Sequence, residues 1–284
     1  MMKEIIKTII FEEFSKLVEN IEGDFVKNYQ KKNSNFLLSQ LDNQMIANMV
    51  FVSSFESKSG FALEACAKKI AILRYGKENV PTIVNPYNLK HSVNPNTVNG
   101  QVIISDINVN NGELRGKIAE FRASNVAAGR RSSGVTHESI KSLLKIAKNY
   151  KDGTIYDKPV DLAFFDGTDW NLMELKAGGN LDSSNAPSNV EKILTIYAGL
   201  NVENAKLYFA TLYNKDGEGN TWKGAVKKHL SYPDMFLIGK NFWNKILPAE
   251  VTFETFTEVY KEALTDIDLN KRINDMIEDC LRNI

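Results

Sequence analysis

Two apolar runs separated by a short turn signal are the feature that most constrains how this chain can fold. The first run follows Pro159 and reads Val-Asp-Leu-Ala-Phe-Phe, and the second reads Trp-Asn-Leu-Met-Glu-Leu-Lys and ends at Lys176. Asp166-Gly167 lies between them, and Asp-Gly between two such runs is a strong signal for a β-hairpin. The sequence therefore predicts two adjacent antiparallel strands.

Three charged residues interrupt these apolar runs. Asp161 opens the first run, and Glu174 and Lys176 close the second. The hairpin would bring Asp161 near Glu174, and because side chains alternate along a strand, Glu174 and Lys176 would lie on one face. Buried charges are costly unless they pair or bind a metal. The pattern therefore predicts a functional cluster, although an ordinary ion pair at a strand edge is the alternative.

The chemistry of such a cluster follows from its residue types. Two carboxylates a few ångströms apart repel each other unless a cation lies between them. Hard oxygen ligands suit Mg²⁺, with Mn²⁺ as a substitute, and Mg²⁺ needs only one or two carboxylates plus phosphate oxygens of a substrate. Lys176 would hold, orient or deprotonate a water molecule. The reaction class that needs this set is phosphodiester hydrolysis.

The same residues resemble the signature of the PD-(D/E)xK nuclease superfamily, which includes most type II restriction endonucleases. The signature reads Pro159-Val160-Asp161, a gap of twelve residues, and Glu174-Leu175-Lys176. The family pattern has Pro and Asp adjacent, and here Val160 intervenes. The resemblance implies a Mg²⁺-dependent enzyme acting on double-stranded DNA, with Asp161, Glu174 and the Leu175 carbonyl as metal ligands. It also implies a homodimer matched to two-fold symmetric DNA.

A glutamate from an early helix often completes the metal shell in that superfamily, and Glu64 is the candidate here. Ser59-Gly60 predicts the start of a helix from about Phe61 to Tyr75, ended by Gly76. Glu64 could equally pair with Lys68 at i,i+4 spacing. Three segments further resemble enzymes that cut GGNCC-type sites: Ser59-Gly60-Phe61 with Glu64, Leu175-Lys176-Ala177-Gly178, and Gly239-Lys240-Asn241-Phe242-Trp243.

The order of elements predicts an α/β (α+β) fold, with a central mixed sheet flanked by helices, as in restriction endonucleases. The predicted elements are helices within 3–50, short strands and loops within 79–113, the hairpin, a helix capped by Ser188 with Glu191, strands at 207–212 and 235–238, and helices from 253 onward. We expect a single nuclease domain over 1–284. Its parts would be a helical N-terminal and dimerisation region at 1–55, a catalytic and DNA-binding core at 56–250, and C-terminal helices at 251–284.

Positive charge is concentrated between residues 115 and 151, just before the hairpin. Within this stretch Arg130 and Arg131 stand between glycines and are followed by Ser132 and Ser133. Such a loop offers donors to phosphates or guanine edges. These four residues and Arg122 are the predicted DNA contacts. A solvated basic face is the alternative.

Composition excludes several other classes of protein. The formal net charge is zero, which argues against a nonspecific polycationic binder. The two cysteines and three histidines have no zinc-site spacing, and no glycine-rich phosphate loop or dinucleotide fingerprint indicates a nucleotide cofactor. Charges interrupt the apolar N-terminus too early for a signal peptide. We therefore expect a cytoplasmic protein without a membrane partner.

Three other functions stay open from the sequence. One is a repair or junction-resolving nuclease with the same core, and another is a non-catalytic DNA-binding module. The third is a non-nuclease α/β protein in which Glu174 and Lys176 form a surface ion pair. A type II restriction endonuclease is favoured because all three signature positions are present.

Overall fold

A computed structural model describes residues 1–127, 134–178 and 183–282. The described residues form eight α-helices and seven β-strands. The helices are α1 (Met2–Asn33), α2 (Asn43–Tyr75), α3 (Gly112–Ser124), α4 (Lys141–Ala147), α5 (Ala186–Leu200), α6 (Lys240–Ile246), α7 (Phe253–Asp266) and α8 (Leu269–Arg282). The strands are β1 (Ile83–Val84), β2 (Gln101–Ile107), β3 (Lys151–Val160), β4 (Leu162–Phe165), β5 (Trp170–Lys176), β6 (Ala205–Thr211) and β7 (Phe236–Ile238).

The chain divides into two compact units, the first made of Met1–Ile70 and Leu247–Ile284 and the second of Ala71–Ile246. The first unit is helical, as the sequence predicts for both ends of the chain. Helix α1 buries one apolar stripe, which includes Phe14 and Phe25, and Phe14 meets the ring of Tyr260 from α7 edge to face. The assignment of residues 1–284 to a single nuclease domain stays a prediction.

Helix α2 corrects one predicted boundary. The helix expected to begin at Phe61 begins instead at Asn43 and runs without a break through Ser59-Gly60. A glycine inside a helix costs only about 1 kcal/mol, so packing of the flanking residues lets the helix continue through the predicted start signal. The predicted end is confirmed, because Gly76 has a φ of +85°, a conformation that glycine adopts without strain.

The second unit contains two mixed sheets. In the first sheet the strand order is β1-β2-β3, with β1 parallel and β3 antiparallel to β2. In the second the order is β4-β5-β6-β7, with β4 antiparallel to β5 and the other neighbours parallel. Together with the surrounding helices this arrangement confirms the predicted mixed α/β fold.

Helix α5 covers one face of the second sheet. Its predicted apolar stripe, which includes Val190 and Ile193, is buried in one core with Leu172 of β5 and Leu207 and Phe209 of β6. Leu172 and Leu207 are paired in the parallel register. Directly paired residues lie on the same face of a sheet, so this face of β5 and β6 is the one against which α5 packs.

The predicted capping box at the start of α5 is wrong. The helix begins at Ala186, and the Ser188 hydroxyl donates to the Asn185 carbonyl oxygen at 2.9 Å from inside the first turn. Glu191 does not return to the helix start, since it accepts a hydrogen bond from Arg122 of α3 at 2.8 Å. Glu191 therefore forms a long-range ion pair with Arg122 instead of capping the helix.

Strand β3 and helix α3 were not predicted. The side chains of β3 are mostly exposed and its sequence contains glycine and proline, so no apolar alternation marks it. Helix α3 begins at the end of the stretch predicted as short strands and loops, because Asn111 caps it by accepting hydrogen bonds from the N–H groups of Glu113 and Leu114. Across residues 1–127, 134–178 and 183–282, no helix is both long enough and apolar enough to cross a bilayer.

Candidate active site

The predicted hairpin forms from β4 and β5, with Leu162 opposite Met173 and Phe165 opposite Trp170. Gly167 has a φ of +95°, and Asp166 accepts hydrogen bonds from the N–H groups of Thr168 and Asp169 at 3.1 and 2.9 Å. Partial burial alone would raise the pKa of Asp166, but these bonds and those from Asn171 and Lys245 lower it well below its usual range. The turn is therefore closed by a carboxylate.

Asp161 lies at the bend where the chain leaves β3 and enters β4. Its carboxylate reaches across to the second strand of the hairpin, where Oδ2 accepts a hydrogen bond from the Leu175 N–H at 2.9 Å. This bond fixes the carboxylate next to the residue that separates Glu174 from Lys176. The predicted approach of Asp161 to the end of β5 is confirmed.

A buried glutamine, Gln101 of β2, holds the chain next to the bend at Asp161 through hydrogen bonds. The Gln101 side chain, 1% exposed, donates to the carbonyl oxygens of Pro81 and Ala163 at 2.7 and 2.8 Å. It also accepts from the Ala163 N–H at 2.9 Å. Gln101 lies opposite Val160 in the first sheet. This one residue therefore links β2 to the chain before Asp161 by strand pairing and to the chain after Asp161 through its side chain.

Glu174 and Lys176 lie on the same face of β5, as alternation predicts. The Lys176 ammonium donates to Glu174 Oε1 at 2.7 Å. Glu174 is 1% exposed. Its burial and the nearby charge of Asp161 raise the pKa of its carboxyl group, and the positive charges of Lys176 and Lys192 offset only part of that effect. The two lysines therefore offset only part of the cost of burying this carboxylate.

The second of these lysines was missed by the sequence analysis. Lys192 extends from α5, and its Nζ lies 2.6 Å from Glu174 Oε2 and 3.2 Å from Asp161 Oδ1. Burial alone would lower the pKa of Lys192, but the two carboxylates raise it above its ordinary value. No motif spacing reveals this residue. The available signal was a single lysine in the helix that follows Glu174-Leu175-Lys176.

Thr211 adds a further polar group beside the site. It pairs with Lys176 in the parallel register between β5 and β6, so the two side chains lie on the same face of the sheet. Thr211 is fully buried, and its hydroxyl has no hydrogen-bond partner among the described residues. A buried hydroxyl in that state can still bind a water molecule or a ligand.

The other predicted site residues stay predictions. Glu64 belongs to the first unit, on α2, and its role as a metal ligand stays a prediction. Arg122 is mostly buried against Glu191, and its Nη1 lies 3.3 Å from His229 Nδ1. The predicted DNA-contact residues Arg130, Arg131, Ser132 and Ser133 lie outside the described residues, and all five DNA contacts stay predictions.

The donor set fits Mg²⁺ better than a metal that needs many protein ligands. In the part of the chain that the structure describes, no three His, Cys, Asp or Glu side chains form a metal-binding group. Two carboxylates are enough for Mg²⁺, which keeps several waters. Glu174 Oε2 is buried and has the Lys192 ammonium at 2.6 Å. A cation is therefore already accommodated at this oxygen, beside Asp161.

Comparison with known proteins identifies the family. No curated protein sequence and no solved structure gives a significant match to this chain. The family model described as "Type II restriction endonuclease, HinfI" matches residues 1–263, which is most of the chain and includes every residue of the cluster. This chain belongs to the HinfI family of type II restriction endonucleases.

Proposed function

We propose that this protein hydrolyses phosphodiester bonds of double-stranded DNA at specific sites in a Mg²⁺-dependent reaction. The observation that carries the proposal is the convergence of Asp161, Glu174 and Lys176 at the end of one hairpin. Membership of a restriction endonuclease family supports DNA as the substrate. It also favours a restriction enzyme over a repair nuclease or a non-catalytic binding module.

Asp161 and Glu174 are the proposed metal ligands, together with the Leu175 carbonyl. The N–H of Leu175 points to Asp161, and the N–H and C=O of one residue in a strand point to the same side. The Leu175 carbonyl therefore points to the side on which Asp161 lies. When bound there, Mg²⁺ would supply positive charge to the phosphate and lower the pKa of a water molecule. Mn²⁺ would serve as a substitute because it accepts the same oxygen ligands.

Lys176 is the proposed group that acts on the attacking water. Its ammonium is held by Glu174 at 2.7 Å, and its side chain is 30% exposed, so part of the side chain stays open to solvent. An ammonium fixed in this way can donate a hydrogen bond to a water molecule and direct it towards the phosphorus atom. The same charge would stabilise the negative charge that develops on the phosphate.

We further propose that the enzyme acts as a homodimer. Two-fold symmetric DNA is most simply read by a two-fold symmetric protein, with each subunit cutting one strand. Arg130, Arg131, Ser132, Ser133 and Arg122 are the proposed DNA contacts, and Glu64 is a proposed additional metal ligand. The resemblance to enzymes that cut GGNCC-type sites stays a prediction.

Lys176→Ala is expected to abolish cleavage and leave specific DNA binding largely unchanged. Positioned proton-transfer and charge-stabilising groups each contribute about 10²–10⁴-fold to rate, so the loss is at least about 100-fold. Plasmid DNA incubated with protein and Mg²⁺ should give discrete fragments, and none with EDTA. Binding would be measured by fluorescence anisotropy with Ca²⁺ in place of Mg²⁺, under conditions in which a gel shows no cutting.

Lys206→Ala is the matched control, because Lys206 lies on the adjacent strand and is paired with Asp169 at 2.6 Å. It should cut at the wild-type rate.

Glu174→Ala should lose cutting, and added Mg²⁺ should not restore it. Cutting at the wild-type rate by purified Lys176→Ala would remove Lys176 from the mechanism, and cutting by Glu174→Ala would refute the ligand assignment.

A further inference from the structure

Lys192 sits where the two proposed metal ligands face each other. Its ammonium contacts one oxygen of each carboxylate, Glu174 Oε2 at 2.6 Å and Asp161 Oδ1 at 3.2 Å. The remaining oxygens are already engaged, since Glu174 Oε1 accepts from Lys176 and Asp161 Oδ2 accepts from the Leu175 N–H. Lys192 is therefore bound to the oxygens that a divalent ion shared by the two residues would need.

The ammonium has a clear physical role in the metal-free protein. Two neighbouring carboxylates, one of them almost completely buried, repel each other and favour protonation. A positive charge between them reduces that repulsion. Lys192 therefore supplies the charge that a metal ion would otherwise supply, and it keeps the two carboxylates together before any metal arrives.

The same ammonium obstructs metal binding. Two cations a few ångströms apart repel each other, most strongly where solvent is excluded. Lys192 is 42% exposed, whereas Glu174 is 1% exposed. A lysine is a charged group on a flexible four-carbon chain, so Lys192 can move out into solvent while the buried carboxylate cannot.

We propose that Lys192 is an internal counter-cation that a divalent metal ion displaces from Asp161 and Glu174 when it binds. This inference rests on the proposed metal site. The displaced ammonium moves into solvent, and the exchange of one cation for another sets the metal concentration that the enzyme needs. The affinity for metal is thus lower than two carboxylates without Lys192 would give. The two carboxylates, however, are already held in place before the metal binds.

The reactivity of the Lys192 amine in the wild-type protein tests the displacement directly. Metal-free protein at pH 8 would be acetylated briefly with a water-soluble succinimidyl acetate, with and without saturating Ca²⁺, and each lysine quantified by peptide mass spectrometry. Acetylation of Lys192 should rise several-fold in Ca²⁺, because the amine leaves its two carboxylates. Lys206, 44% exposed and paired with Asp169, should not change. Equal or lower reactivity of Lys192 in Ca²⁺ would overturn the proposal.

Calorimetric titration with Ca²⁺ gives the second measurement. Lys192→Met should bind Ca²⁺ about three- to tenfold more tightly than wild type, since no cation has to be displaced, and Lys206→Met should bind like wild type. Lys192→Arg, which keeps the charge, should show no tightening. Unchanged or weaker affinity of folded Lys192→Met would contradict displacement.

Glu174→Gln separates this inference from the function on which it rests. If wild type binds Ca²⁺ and Glu174→Gln does not, the metal site stands, and unchanged Lys192 reactivity would then remove the displacement alone. If Glu174→Gln binds Ca²⁺ as wild type does, or wild type does not bind it, the metal site itself is wrong and the displacement proposal is overturned with it.

Discussion

At the scale of single residues, Glu174 shows function and stability acting in opposite directions. A carboxylate that is 1% exposed beside a second carboxylate is an unfavourable choice for a core position. A protein under selection for stability alone would place a neutral residue there. The raised pKa of Glu174 expresses the same cost, because it means that folding disfavours the charged form.

Glu174→Gln is therefore expected to stabilise the metal-free protein while it abolishes cutting. The gain should be about 1 kcal/mol at pH 7, measured as a rise in Tm by scanning calorimetry. A group with a raised pKa in the folded state loses stability as the pH rises through that pKa. The gain should therefore be absent near pH 4, where the ordinary carboxyl with a pKa of 4.5 is protonated, and present at neutral pH.

The matched control is Glu203→Gln, since Glu203 is an exposed residue of the same unit and should leave Tm unchanged. A decrease in the Tm of Glu174→Gln at pH 7 would contradict the expected cost. It would mean that the two lysines stabilise the carboxylate by more than burial and Asp161 destabilise it.

At the scale of elements, the hairpin and its charges could be predicted because their signals are local. Asp166-Gly167 fixes the turn, and alternation along β5 places Glu174 and Lys176 on one face. Lys192 could not be predicted in this way, because its position depends on how α5 packs across β5. Strand β3 was missed for a related reason, since it is held by pairing with β2 while its own side chains are mostly exposed.

Gln101 is the clearest case of a long-range contact that local patterns do not reveal. Its side chain makes two hydrogen bonds to Ala163, just after the bend at Asp161, and a third to the Pro81 carbonyl oxygen. Methionine has a similar volume and no amide, so Gln101→Met would leave the buried backbone groups of Ala163 and the half-buried Pro81 carbonyl without these partners. Each such group costs about 1–3 kcal/mol.

Gln101→Met should therefore lower the free energy of unfolding by about 2–4 kcal/mol, measured by urea denaturation. Cutting should also slow in the fraction that stays folded, because Asp161 loses the support of the bend. Gln40→Met, at an exposed position, is the control and should change stability by less than about 0.5 kcal/mol. A stability loss for Gln101→Met no greater than that of the control would show that the bend holds without this side chain.

At the scale of the whole molecule, charge balance limits how the protein can bind DNA. The 35 basic and 35 acidic residues give no net attraction to a polyanion. Many basic side chains are also paired, as Lys206 is with Asp169 and Lys151 with Asp106. Affinity for DNA must therefore come from a local arrangement of donors rather than from total charge, and the proposed homodimer would present that arrangement twice.

The proposed homodimer can be tested with mixed dimers. Wild-type and Lys176→Ala chains carrying different affinity tags would be co-expressed and purified in two steps. If each subunit cuts one strand, a mixed dimer should convert supercoiled plasmid to nicked circles and form linear product at least about 100-fold more slowly, the factor expected for loss of one catalytic lysine. A mixed dimer in which the second chain is Lys206→Ala should give linear product at the wild-type rate. Linear product formed at the wild-type rate by the Lys176→Ala mixed dimer would show that one chain cuts both strands. Failure to recover any mixed dimer would show that the chain acts alone.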